Sequence, residues 1–469
     1  MSINRRKFLK ASVIGGTALV SNQLGAGNST NPSVSTVSGV ERFDTIPPAR
    51  GKSVLGLRCK ALPTVRIGVV GLGRGGGAVN RLSRMEGTEI VAICDLSKEK
   101  IANSQKTLSN NKRKAAAEYS GEEDWKKMCE RDDIDLVYNA TPWELHVPIA
   151  LYAMDHGKHV AIEVPAALTV KDCWALVDKA EEKQLHCMML ENCCYDFFEL
   201  ATLNMARLGL LGEIIHGEGA YIHDLRSSKF NGYYKHWRLE FSKFHTGNPY
   251  PTHGLGPVAQ IMGINQGDRM EYLSSVSTNQ YGLQLWAKEN LENDERITQS
   301  ERYMLGDMNT TIIHTANGKS IMIQHDTTSP RPYSRIHLIQ GTNGMAVKYP
   351  NEKIAIQPDS HDFLSEEAQK KLLAEYEHPL SRHIGEQARK VGGHGGMDFI
   401  MDWRLIYCLR NGYPLDQSVY DAAAWSSIVE LSERSVLNKS TVEIPDFTRG
   451  AWRDYPAWPV IDMKEVLHG

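Results

Sequence analysis

Val65-Arg66-Ile67-Gly68-Val69-Val70-Gly71-Leu72-Gly73-Arg74-Gly75-Gly76 is the stretch on which the fold turns. Its first six residues are a short β-branched run, which suits a buried strand. Gly71, Gly73 and Gly76 then satisfy G-x-G-x-x-G spacing before a helical stretch over 77–86. In a dinucleotide-binding turn the first glycine makes the tight bend. The second lets backbone approach a pyrophosphate, and the third lets the helix pack close to the strand. The helix N-terminus turns its positive dipole end toward the phosphates. A second strand, Glu89-Ile90-Val91-Ala92-Ile93-Cys94, ends in Asp95, 19 residues beyond Gly76. An acid at that distance bonds a ribose 2′-hydroxyl and disfavours a 2′-phosphate, so the pattern predicts NAD rather than NADP.

The alternation of strand and helix continues. Asp135 to Ala140 reads as a strand stopped by Thr141-Pro142, and Trp143-Glu144-Leu145-His146 leads a helix to His156-Gly157. Val160-Ala161-Ile162 is the next strand, ending at Glu163-Val164-Pro165. A helix over 170–183 and a strand over 186–190 follow. This is an α/β class, a Rossmann doubly wound parallel sheet over 63–193. Ligands of such sheets sit beyond the carboxyl ends of the strands, where Trp143, His146, Glu163 and Asn192 all fall.

Beyond 194 the period changes. Asn317-Gly318 between Thr310–Ile313 and Ser320–Ile323 is a strong hairpin signal. Arg335–Ile339 and Gly344–Val347 form another strand pair. Residues 194–469 therefore read as an α+β domain on a largely antiparallel open sheet, with 352–390 as a charged, helical surface insertion. Tyr250-Pro251-Thr252-His253-Gly254-Leu255-Gly256 opens a helix over 257–263, and a His near a helix N-terminus is kept neutral by the dipole. His394 and Asp398 stand at i, i+4 in a glycine-rich run, but no third ligand is visible and no metal site is expected.

The ends are different. Arg5-Arg6-Lys7-Phe8-Leu9-Lys10, a short apolar stretch and a small-residue exit have the layout of a twin-arginine signal peptide over 1–30. Export to the periplasm in a folded state is the expectation. Residues 31–62 are rich in Ser, Thr, Asn, Gly and Pro and read as a flexible tether. The net charge over all 469 residues is −3, with 53 Lys+Arg against 56 Asp+Glu, and no basic field exists for nucleic acid. No run of about 20 apolar residues is present to span a membrane. Eight Cys are too few for a disulfide scaffold, so free, buried thiols are expected.

Over roughly 63–445 the order of these pieces resembles the glucose–fructose oxidoreductase and inositol dehydrogenase superfamily. In its ordinary dehydrogenases the Glu-x-Pro turn reads Glu-Lys-Pro, and the Lys serves the hydroxyl being oxidised. Val164 stands there instead. Trp143–His146, Glu163-Val164-Pro165, Glu191-Asn192-Cys193-Cys194-Tyr195, Tyr250–Gly256 and Gly393–Asp398 together look like the NAD-dependent glycoside hydrolases of family 109.

The resemblance implies an α-N-acetylgalactosaminidase acting on glycans by redox and elimination at the sugar ring. It assigns Arg74, Gly75, Asp95, Trp143, His146, Glu163, Val164 and Asn192 to NAD. It assigns Tyr221, Arg238, Tyr250, Thr252, His253 and Tyr333 to the sugar, with interdomain packing as the other reading of Arg238, Tyr221 and Tyr333. His253 and Tyr195 are the expected proton-transfer residues. A homo-oligomer through the C-terminal sheet is the assembly open to this architecture. A net sugar dehydrogenase and a non-catalytic sugar-binding protein are the other functions the pattern allows.

Overall fold

In a computed structural model of the chain, the β-branched run forms a strand at Val65–Val70 inside a six-stranded sheet. The sheet order is Ala117–Tyr119, Thr88–Cys94, Val65–Val70, Leu136–Asn139, His159–Ile162, Cys187–Met189, and every pairing is parallel. Helices on both faces cover it, which explains why its strands are continuous apolar runs. The structure describes residues 34–37, 40–43, 46–291 and 303–456. The expected signal segment 1–30 lies outside the described residues.

The second sheet has ten strands, in the order Val34–Val37, Val40–Phe43, Thr441–Glu443, Met270–Ser277, Asn309–Thr315, Ser320–Asp326, Ile214–Ile222, Leu338–Gly341, Gly344–Val347, Lys353–Ile356. Two neighbouring pairs are parallel and the rest antiparallel. One face packs against the helices Thr252–Met262 and Val419–Asn438. On the other face Tyr272, Val276 and Ile312 are exposed. Among the described residues no helix is long and apolar enough to cross a membrane. All eight cysteines are free and seven are buried.

Two expectations are corrected. The tether 31–62 is, in its described part, bonded to the body. Val40–Phe43 pairs with Thr441–Glu443, and buried Glu41 accepts bonds from Arg434 and Asn438. The Val54 amide donates to the Tyr420 hydroxyl at 3.0 Å, and Leu62 N to Leu409 O at 3.1 Å. Edge pairing uses backbone groups, so a polar composition does not forbid it. The region 352–390 is not merely a surface insertion. Lys353–Ile356 extends the sheet, and the helix Pro379–Val391 buries Leu380, Ile384 and Ala388 against Met397–Asn411.

Candidate active site

The cofactor side is built from strand ends. Gly71 has φ +85°, and a Cβ there would lie 2.5 Å from the Ala140 carbonyl oxygen, so no other residue fits the bend. At Gly73 a Cβ would meet only Lys100 Nζ, at 3.7 Å, which leaves the loop an open face for a phosphate. The close helix–strand approach expected of Gly76 falls to Gly75, whose Cβ would be 3.0 Å from Val69; at Gly76 nothing lies within 4 Å. The helix starts at Gly75, two residues before the expected 77. Asp95 accepts Leu72 N and Ser97 N, each at 2.7 Å, one on each carboxylate oxygen. Each oxygen keeps a lone pair for a ribose hydroxyl. These residues fit NAD.

Trp143 donates its indole N–H to the Val164 carbonyl at 3.1 Å, which ties two strand ends together. His146 was expected to touch the cofactor. Its Nδ1 lies 2.8 Å from Pro165 O and its Nε2 2.9 Å from Thr141 O, and the ring is buried. Burial pulls its pKa down to about 4 although both carbonyls favour the charged form. His146 therefore fixes the strand-end turns and has no ring nitrogen left for NAD. Asn192 donates to Asp398 Oδ1 at 2.6 Å. Asp398 in turn meets His394 Nδ1 at 2.9 Å and Arg81 at 3.4 Å. Partial desolvation works against the Arg74 charge, but Tyr250, Glu163 and Tyr221 more than offset it and hold its pKa above the usual value.

The sugar side is an aromatic cleft. The ring centroids of Tyr221 and Tyr250 are 4.7 Å apart, and those of His253 lie 5.4 and 4.9 Å from them. Tyr333 stands 6.3 Å from Tyr221, with its hydroxyl accepting a bond from Arg335 at 3.1 Å. Tyr250 stacks on Trp143 of the nucleotide half at 6.0 Å. Arg238 is buried in an aromatic cage, 4.7 Å from Tyr233, 4.8 Å from Tyr250, 4.9 Å from Trp237 and 5.1 Å from Trp143. It acts on the cleft through Tyr250. Thr252 is fully buried and presents no face to a sugar.

His253 is in the first turn of Thr252–Met262, which begins before the expected 257. Its Nδ1 lies 2.8 Å from the carboxylate of Glu191, which has no exposed side-chain surface. Burial would raise Glu191, but His253 and the Cys193 amide more than offset it and hold its pKa below the usual carboxylate value. The carboxylate fixes Nδ1 as the N–H position and leaves Nε2 as the acceptor. Glu191 stands in the Glu191–Tyr195 motif without a role that the sequence marks. Its signal was its place at a strand end, one residue before Asn192. Glycine makes the pair possible: a Cβ on Gly256 would sit 2.7 Å from Glu191 Cγ. Gly256→Ala is expected to push Glu191 off His253 and lower turnover at least about tenfold, checked by kcat with the NAD content unchanged.

Tyr195 is not at this site. It is fully buried, and its hydroxyl donates to Asp416 at 3.3 Å, beside the Asp416–Arg404 ion pair. Burial first, and Asp416 next, push its pKa far above the usual phenol value. The helical turn Asn192–Tyr195 points successive residues in different directions, which motif position alone does not reveal. Tyr195→Phe is expected to keep turnover close to wild type and to cost about 1 kcal/mol of stability, read by urea unfolding.

A parallel NAD-type sheet joined to an antiparallel sugar cleft defines a cofactor-binding carbohydrate enzyme of the oxidoreductase fold. Residues 65–191 match the oxidoreductase family with an NAD-binding Rossmann fold, and 195–454 match the C-terminal domain of glycosyl hydrolase 109. The chain is 54% identical to an alpha-N-acetylgalactosaminidase of Bacteroides fragilis, over 85% of this chain and 96% of the relative. It is 46% identical to a glycosyl hydrolase family 109 protein of Shewanella pealeana, over 97% and 98%. A levoglucosan dehydrogenase solved with NADH and levoglucosan shares the fold, with TM-score 0.61 and 20% identity over 81% of this chain and all of that one. The chain belongs to glycoside hydrolase family 109, and its cofactor is NAD.

Proposed function

We propose that this protein hydrolyses terminal α-N-acetylgalactosamine from glycans by an NAD-dependent redox and elimination sequence. The observation that carries the reading is the His253–Glu191 pair, set beside Tyr221 and Tyr250 in a family 109 chain. The Gly71–Gly76 loop, Asp95 and Asn192 would hold NAD, which would supply the hydride acceptor and donor at C3. His253 Nε2 takes the proton of the sugar 3-hydroxyl, and Glu191 stabilises the imidazolium that forms. Oxidation at C3 acidifies the C2 proton. Tyr221 replaces Tyr195 as the group that removes it. Burial raises the Tyr221 phenol, and Arg238 and Arg74 draw it back. Loss of that proton expels the glycosidic oxygen from C1, and water adds there.

The dehydrogenase alternative lacks its amine, because Val164 is buried and offers only its carbonyl, to Trp143. The test is release of nitrophenol from the N-acetyl-α-galactosaminide without added nucleotide and without net NADH. Turnover in deuterated water must label C2; an unlabelled C2 removes the elimination step.

The leader and assembly belong to the same proposal. Arg5-Arg6 would direct twin-arginine export, and replacing both by Lys is expected to strand the protein in the cytoplasm. The exposed Tyr272, Val276 and Ile312 face would carry a homo-oligomer, which Val276→Glu is expected to dissociate in sedimentation.

A further inference from the structure

We propose that Glu191, Cys193 and His253 form an inhibitory site for one soft divalent cation, zinc above all, behind the floor of the sugar cleft. One ligand atom from each of the three residues lies within 4.8 Å of the other two. Glu191 and Cys193 have no exposed surface, and the His253 side chain is 13% exposed, so a fourth position opens only toward the cleft. Tetrahedral zinc, at about 2.0 Å from N and O and about 2.3 Å from S, needs its ligands about 3.3–3.7 Å apart. The imidazole and carboxylate are already closer than that, at 2.8 Å. The thiol needs only a rotation and a shift of about an ångström, the amplitude of ordinary side-chain motion.

The charges also match. A carboxylate, a thiolate and a neutral imidazole give zinc a neutral set, the composition that low-dielectric surroundings tolerate. These three residues come from a strand end, a short helical turn and a helix of the other domain, so no spacing in the chain reports them.

The binding step balances without redox chemistry. Bonds form from the cation to Cys193 Sγ, His253 Nδ1 and a Glu191 oxygen. The thiol proton leaves to solvent, and the Nδ1 proton moves to Nε2. His253 then presents an N–H where the sugar hydroxyl needs an acceptor, so turnover stops. The inhibitory consequence rests on His253 acting as the base; cation binding does not.

The experiment titrates NAD-loaded enzyme with Zn²⁺ and, separately, Co²⁺ in chelator-free buffer. One Co²⁺ per chain with a near-ultraviolet thiolate-to-cobalt band is expected, with turnover lost and then restored by EDTA. Cys193→Ala should abolish the band and, measured against its own zinc-free turnover, raise the Zn²⁺ needed for half-inhibition about tenfold or more. Equal zinc sensitivity in that variant overturns the site. Should Cys193→Ala not fold, X-ray absorption at the zinc edge of the wild type decides: a sulfur in the coordination shell supports the site and a shell of only light atoms overturns it. A band and a stoichiometry without inhibition would leave the site standing and instead remove His253 as the base.

Discussion

His253→Ala should lower kcat about a thousandfold, within the 10²–10⁴ range of a removed general base, and lower kcat/KM by the same factor. Equal losses are expected because Nε2 bonds the sugar hydroxyl most strongly as the proton leaves. NAD should remain bound, since no cofactor residue touches the substituted ring. The stability profile gives an independent readout. In the wild type the Glu191 pKa is lowered, so its stabilising contribution is present above the unfolded carboxylate value and is lost as pH falls through the folded one. Removing His253 leaves a fully buried carboxylate with its main partner gone. Its folded pKa then rises above the unfolded value, and its contribution is present in acid and lost as pH rises. The variant should therefore gain stability on acidification where the wild type loses it. His253→Gln, whose amide can still donate to Glu191, should be equally inactive without that inversion. Turnover of His253→Ala within about tenfold of wild type would remove the residue from the chemistry.

Local chain geometry was legible in the sequence, and meetings across the chain were not. The Gly71–Gly73 bend and Asp95 follow from a strand, a turn and a second strand in succession, so spacing alone places them. The hairpin about Asn317-Gly318 is local in the same way. The Glu191–His253 bond joins two domains, and no period or spacing encodes it. Tyr195 failed for a related reason: in the turn Asn192–Tyr195, Asn192 reaches Asp398 and Tyr195 reaches Asp416. Adjacency in a motif is not adjacency in a site. The pairing of Val40–Phe43 with Thr441–Glu443 is likewise a long-range meeting of backbone groups, which local composition does not reveal.

Arg81→Met should cost about 3–5 kcal/mol of stability, the loss typical of a broken buried ion pair. Arg81 lies on the helix after the glycine loop and reaches into the other domain. Its Nε donates to Asp402 at 2.7 Å, and its Nη1 faces Asp398 at 3.4 Å. Tyr138, on the sheet, donates to the second Asp402 oxygen at 3.1 Å. Burial raises Asp402 to about 6 even with Arg81 present. Burial also works against Asp398, but His394 and Arg81 more than offset it and hold that residue at about 2. In the wild type Asp398 therefore adds stability above the unfolded carboxylate value, and that share is lost as pH falls from about 4 toward 2.

Without Arg81 the pKa of each carboxylate rises, so the variant is relatively most stable in acid. The gap between wild type and variant should widen from pH 4 to pH 8 in urea unfolding. A gap independent of pH would mean that the lost packing, not the lost charge, carries the effect. Because Asp398 also holds Asn192, the variant should release NAD faster than wild type at any pH where both remain folded. Arg81→Lys, with one compact cation in place of a planar fork, can serve Asp402 or Asp398 but not both, and should fall between the two in stability and in cofactor retention.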